Sequence, residues 1–318
     1  MGVGGHLSLN AKLRSSKLDM DAMLTAFGIR SVPPAPRGST TGPVMSSTPL
    51  PWDAFRGPNI DATGGIDSLT FYDQVWSGVE LGVRLKDGSL REGTVKLNLP
   101  DGPLTFSATA NAAVETVSVS LSVHAPGVPL ALIAHYAGVP GQLTGSARVD
   151  ARLTGQGSSM NHLAASLDGP VSLTVMGGQL SNAALVDLAS ASLEALGVKV
   201  PSQGETALRC LGIVGSFNKG LGEFRTIVLE TTYLSLKGVG LVDLVNERVG
   251  FKLNPVAQVS GSPVSVPVVV EGPFRAITGR LDATGLEKLG LLFNAWFGSV
   301  QQTACADAGL ASGHKSAP

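Results

Sequence analysis

The stretch VSVSLSVH, residues 117–124, places Val117, Val119, Leu121 and Val123 on one side of an extended chain and Ser118, Ser120, Ser122 and His124 on the other. Successive side chains of a strand point to opposite faces, so such a segment has one apolar and one wettable face. The same two-residue period recurs at Val95, Leu97 and Leu99, and again at Leu104, Phe106, Ala108 and Ala110. In 143–154, Leu143, Gly145, Ala147, Val149, Ala151 and Leu153 face one way, while Thr144, Ser146, Arg148, Asp150, Arg152 and Thr154 face the other. Further strands are expected at 223–230, 233–244, 247–253 and 264–271. There Leu234, Leu236, Gly238, Gly240, Val242 and Leu244 share one face, and Val264, Val266, Val268 and Val270 share another. Asp87-Gly88 and Asp101-Gly102 punctuate the runs as antiparallel hairpin turns would. The chain therefore reads as mainly β, a succession of two-faced strands, and its function turns on what the apolar faces meet.

Composition narrows the classes of function. Charged residues make up 15% of the 318 residues and aromatics 5%, with a mean hydropathy of +0.24, against about 25% charged in an ordinary soluble domain. A net charge of −1 with both signs dispersed leaves no basic footprint for nucleic acid. The opening MGVGGHLSLNAKLRSS lacks the cationic start and apolar core of a secretory signal. No run reaches the roughly 20 apolar residues that span a bilayer; LGLLFNAWFG, 289–298, is half that length. A membrane anchor, if the protein works in the envelope, is missing or lies upstream. With only Cys210 and Cys305, no disulfide framework or zinc site arises from local spacing, and a bond between the two is neither required nor forbidden.

The organisation along the chain follows from the same signals. Residues 1–30 hold an alternating piece, HLSLNAKLR, and a helix-like piece, LDMDAMLTAFG, and read as the end of an upstream β/helix unit. Residues 31–51, rich in Pro, Gly, Ser and Thr without periodicity, read as a flexible linker. Residues 52–282 form the β domain, interrupted by a short helix at 129–138 and an alanine-rich helix at 181–197. A terminal helix over 283–302, with Leu286, Leu289, Phe293 and Phe297 at helical spacing, reads as a lid on the sheet end or an amphipathic contact; a disordered tail, 303–318, follows.

Motifs that carry chemistry are missing from the sequence. There is no G-x-S-x-G elbow or P-loop, and Gly238-Val239-Gly240 lacks a third glycine and suits a bend or bulge in a strand. His6, His124, His135, His162 and His314 share no metal-ligand spacing, so neither a metal nor another cofactor is expected. Asp150 between Arg148 and Arg152 reads as a solvated strand face. Cys305, beyond the terminal helix, can stay free or pair with another chain.

Periodicity alone favours a β-sandwich, since an apolar sheet face must be covered. A second reading comes from the order of segments: PLPWDAF, then 78–112, then 141–180, the helix SNAALVDLASASL, then 221–256, then SVPVVVEGPFRAITGRLD and a terminal helix before Cys305. This order resembles the C-terminal region of the AsmA family. The resemblance implies a long curved antiparallel sheet forming an open apolar groove, with a few short helices and a C-terminal helix. It further implies a non-enzymatic role on the periplasmic side of the inner membrane of a Gram-negative bacterium, where such proteins, related to bridge-like lipid-transfer proteins, shield or conduct phospholipid acyl chains and assist outer-membrane assembly. The family's N-terminal membrane helix has no counterpart here, so contact with the inner membrane is expected through a missing or upstream anchor, and no protein partner is named. The residues expected to line the groove are Leu104, Phe106, Val117, Val119, Leu121, Val123, Leu143, Val149, Leu234 and Leu236; each also suits an ordinary core. The alternative is a structural or adhesive β-sandwich module of a larger exported protein, and an envelope hydrolase has no supporting motif.

Overall fold

A computed structural model describes residues 8–26, 43–71, 74–99, 101–137, 143–183, 186, 201, 203–259 and 262–281. The described chain begins with β1 (Ser8–Asp19) and α1 (Met20–Ala26), then α2 (Asp53–Arg56). Five strands follow: β2 (Asn59–Phe71), β3 (Gln74–Lys86), β4 (Ser89–Leu99), β5 (Gly102–Asn111) and β6 (Ser118–Pro129). After α3 (Leu130–Ala137) come β7 (Leu143–Thr144), β8 (Ser146–Gln156), α4 (Met160–Ala165), β9 (Gly169–Met176) and β10 (Gln179–Ser181). The last run is β11 (Glu205–Asn218), β12 (Leu221–Thr231), β13 (Leu234–Asp243), β14 (Arg248–Val259), β15 (Ser262–Ser265), β16 (Val268–Pro273) and β17 (Thr278–Leu281).

All 17 described strands belong to one sheet. The pairing runs β1, β2, β3, β4, β5, β6, β8, β9, β11, β12, β13, β14, β16, β17, antiparallel throughout except for β1 on β2. β15 shares β14 with β16, and the short β7–β10 pair forms a side ribbon against the start of β11. The sheet is open, since β1 is hydrogen-bonded on its β2 side and β17 on its β16 side. This overturns the sandwich that periodicity alone favours: a sandwich needs two facing sheets, and the hairpins here add each new strand to the edge of the same one. The valine run 264–270 is likewise two strands, β15 and β16, split at Val266-Pro267 and both laid on β14.

Local chemistry explains the progression. At the β3–β4 turn Asp87 (φ 51°) and Gly88 (φ 75°) both take the left-handed conformation, and Lys219 (φ 49°) and Gly220 (φ 77°) repeat it between β11 and β12. Two such residues make the tight turn whose twist matches paired strands. Register shifts interrupt the ladders at several points, among them Leu90/Gly93, Ala125/Val128 and Phe224/Ile227; each bulge bends its strand and increases local twist. The last falls on β12 opposite Gly238 and Gly240, so the glycines face the bulge rather than carry it.

Residues 43–50, within the stretch read as a linker, lie along the strand ends. Val44 N and Met45 N donate to the Glu247 carboxylate at 2.6 Å each, and Leu50 N donates to Ser158 O. Apolar packing gathers in three clusters: Ile66, Val79, Leu97, Leu99 and Ala125; Leu130, Ala147, Val175, Leu180 and Leu208; and Leu234 with Ala257. α3 contributes Leu130 and Ile133 to the second. Of the stretch 181–197 read as an alanine-rich helix, only Ser181, which ends β10, and Asn182, Ala183 and Val186 are described, and the terminal helix and tail lie outside the described residues.

Candidate functional site

Cross-strand partners share a face, so register alone traces what each face offers. Starting at β1, one row reads Leu13, Gly64, Leu81, Val95, Phe106, Val123 and Ala151. It continues from β9 to β17 as Val171, Gly215, Phe224, Gly240, Phe251, Val270 and Gly279. Every member is apolar or glycine. At a strand spacing of about 4.8 Å, thirteen steps carry this row roughly 60 Å across the sheet.

The neighbouring row on the other face has the opposite character: Arg14, Gly65, Glu80, Lys96, Thr105, His124, Asp150, Ser172, Val214 and Thr226. Here His124 Nδ1 and Asp150 Oδ1 lie 2.6 Å apart across β6 and β8, both half exposed. Asp150, read as solvated between two arginines, thus has a histidine partner. Arg84 reaches Glu92 at 3.2 Å and Asp61 at 3.6 Å on the same face. A cleft of about 730 Å³ opens there, lined among others by Lys12, Arg14, Asp67, Glu80 and Lys96. Its mixed charges cancel and select no ion.

The expected lining residues divide by position. Leu104, Phe106, Val119, Leu121, Val123, Val149, Leu234 and Leu236 all fall on the apolar face of the main sheet, opposite Leu97, Val95, Ala110, Ala108, Phe106, Ala125, Ala257 and Leu229. Leu143 sits in the side ribbon opposite Leu180 and packs on the cluster around Leu130. Val117 precedes β6. Val117 and Leu234 are each 2% exposed, so protein neighbours already take their surface; the other eight keep part of theirs.

Sequence reading missed much of the face. Ile66, Val79 and Leu81 on β2 and β3 show the same alternation, and the signal was there to find. Leu211 and Ile213 were hidden because a bulge between Leu208 and Cys210 breaks the period of β11. The glycines were hidden for another reason: a Cβ on Gly240 would collide with the Phe251 ring, and one on Gly215 would lie 2.7 Å from Phe224 Cδ1. Phenylalanines lie over glycines of neighbouring strands, an arrangement no single strand reveals. Phe217 and Phe224 pack edge to face at 6.0 Å.

Among the described residues no group of three or more His, Cys, Asp or Glu can hold a metal ion. The buried Asn182 and Thr206 side chains satisfy each other at 2.6 Å, and Asn182 Nδ2 donates to Gln203 O. Ser159 caps α4 by accepting from His162 N. Of the titratable groups, the Asp243 carboxyl is held below its ordinary value by hydrogen bonds from the Asn246 side chain and the Asn246 and Val245 backbone, with slight burial opposing them. No described helix is long and apolar enough to cross a membrane.

No curated protein and no solved structure matches this chain. A family model does: the AsmA family, over residues 7–226. The match spans β1 through the middle of β12, so it contains most of the apolar row, and on it the chain belongs to the AsmA family.

Proposed function

We propose that the protein is a non-enzymatic cell-envelope component whose apolar sheet face acts as a groove that shields or conducts phospholipid acyl chains, and that it assists outer-membrane assembly from the periplasmic side of the inner membrane. The observation that carries this reading is the apolar row running unbroken from Leu13 to Gly279. Soluble domains bury such a face against another layer, yet Leu81, Val95, Phe106, Val123 and Val171 remain only half-buried. Exposing hydrocarbon to water costs about 0.8 kcal/mol per methylene, so a tail of some fifteen methylenes gains about 12 kcal/mol when wholly shielded and roughly half of that when one side of it lies on such a surface. A bilayer core is about 30 Å thick, about 15 Å per leaflet, so a 60 Å row accommodates several tails end to end. Uniformity favours sliding: the charged side chains stand on the opposite face, and no charge on the row fixes a head group. Family membership is consistent with an envelope role, and a disulfide-bonded Cys210 fits an oxidising compartment.

The test is extraction. Protein purified from envelopes retains phospholipid detectable by lipid chromatography, and Val119→Gln with Leu121→Lys abolishes retention while the far-UV spectrum and urea midpoint stay near wild type. A well-folded sample that retains no lipid, and that is cleaved by protease added to intact cells, would instead support a structural or adhesive surface module.

A further inference from the structure

Where the apolar row crosses β6, β8 and β9 it runs between two raised margins. On β8 the apolar-face positions are Ala147, Val149, Ala151, Leu153 and Gly155; the outer two are buried and the three between them half-buried. β6 repeats the pattern, with Val117 and Ala125 buried on either side of half-buried Val119, Leu121 and Val123. Different elements form the two margins. At the Ala147 end stand α3 and the side ribbon: Leu130 and Leu180 pack on Ala147 and Val175, and Leu130 N donates to Gly145 O at 2.9 Å. At the Gly155 end stands α4, since a Cβ built on Gly155 would point at Leu163 O, 3.1 Å away, and at Leu167 Cδ1, 3.7 Å away. Gly155 pairs with Val119, so that direction is the apolar side of the sheet. Backbone hydrogen bonds pin α4 and its flanks in place: Gly157 N donates to Val117 O and Gly220 N to Leu167 O, both at 2.9 Å. The 43–50 segment braces it from outside, with Leu50 N donating to Ser158 O at 2.8 Å and Ser46 O accepting from Asn161 N at 3.1 Å.

We infer that these margins turn the apolar row into a lane of fixed width, and that the width selects lipids by their number of acyl chains: a two-chain phospholipid lies flat in it and a six-chain glycolipid does not. The inference rests on the reading of the row as lipid-bearing. From Ala147 to Gly155 the strand advances about 26 Å. Half the diameter of a helix with its side chains, about 5 Å, comes off at each margin and leaves about 16 Å. Tails that follow the row across the strands lie side by side along this width, and at carbon–carbon contacts of about 4 Å the lane takes about four at most. Two tails therefore form a single layer with room to slide. Six force some of their number off the floor and into water, which hydrocarbon resists. Selection by width needs no contact with a head group, in keeping with a row that carries no charge.

The test uses the full delipidated chain and two probes offered from the same detergent micelles, each with one photoreactive tail: a two-chain phosphatidylethanolamine and a six-chain acylated glucosamine disaccharide. Irradiation and peptide mapping place two-chain adducts on β6, β8 and β9, around Leu121, Ala151 and Leu173, and six-chain adducts there are at least several-fold fewer. Ala151→Trp narrows the lane from its floor. In that variant, with its far-UV spectrum and urea midpoint near wild type, two-chain labelling falls several-fold while a one-chain lysophospholipid probe labels as before. The wild-type comparison decides the matter even where the variant does not fold. Equal labelling of β8 by the two-chain and six-chain probes overturns the lane and leaves the lipid reading standing. So does a folded Ala151→Trp protein that loses one-chain and two-chain labelling alike, or neither. No labelling of the wild type by any probe overturns both.

Discussion

Between β2 and β8 the apolar face is built from branched and aromatic side chains set against one another, Leu81 facing Val95 and Phe106 facing Val123, whereas from β11 to β17 the same row alternates glycine with phenylalanine and valine. Both halves are apolar, but they reach that state differently. In the first, side chains project and mesh with the cluster around Ile66 and Val79. In the second, each ring lies across a neighbouring strand's glycine, as Phe224 does over Gly215 and Phe251 over Gly240. The lesson is that one face can stay continuous while its stability is held by different contacts along its length.

The contrast makes graded predictions, each measured by urea unfolding of delipidated protein unless stated. Phe224→Ala removes a ring that is 9% exposed and costs about 3–4 kcal/mol. Phe106→Ala, on a half-buried ring, costs only about 1–2 kcal/mol; equal losses would erase the distinction between the halves. Gly240→Val forces a side chain into the Phe251 ring and destabilises by about 2–3 kcal/mol. Gly64→Val, in the same row, meets Leu81 no nearer than 3.7 Å and changes stability by under about 1 kcal/mol, with lipid retention intact. His124→Ala breaks an exposed cross-strand pair on the polar face and costs under about 1 kcal/mol, again without loss of lipid. The smallest effect lies in the β13–β14 turn. Because the Asp243 carboxyl is depressed by its hydrogen bonds, its contribution is fully present above the usual aspartate value of about 3.9 and disappears as pH falls through the lower folded value. The stability gap between wild type and Asp243→Ala is therefore constant near neutrality and closes in strong acid.

Much of the fold was legible because alternation is a one-strand signal: Val119, Leu121 and Val123 announce their common face without any knowledge of neighbours. What alternation cannot say is whether successive hairpins extend one sheet or fold back into two, since both bury the same residues; family resemblance chose correctly where periodicity favoured the sandwich. The bulge at Arg209-Cys210 hid β11 by shifting its phase, and the parallel pairing of β1 with β2 joins strands whose sequence separation gives no hint of contact. The role of Gly215 and Gly240 became readable only once register set them beside Phe224 and Phe251.

The most direct measurement places a photo-crosslinking amino acid, one position at a time, on each face of both halves and identifies what it captures in living cells. The apolar positions Leu81, Val123, Leu229 and Val270 should each yield phospholipid adducts, and the polar-face positions Thr105, Ser172 and Thr226 should yield none. Adducts equally abundant on both faces, or none on the apolar one, would contradict a lipid-bearing groove.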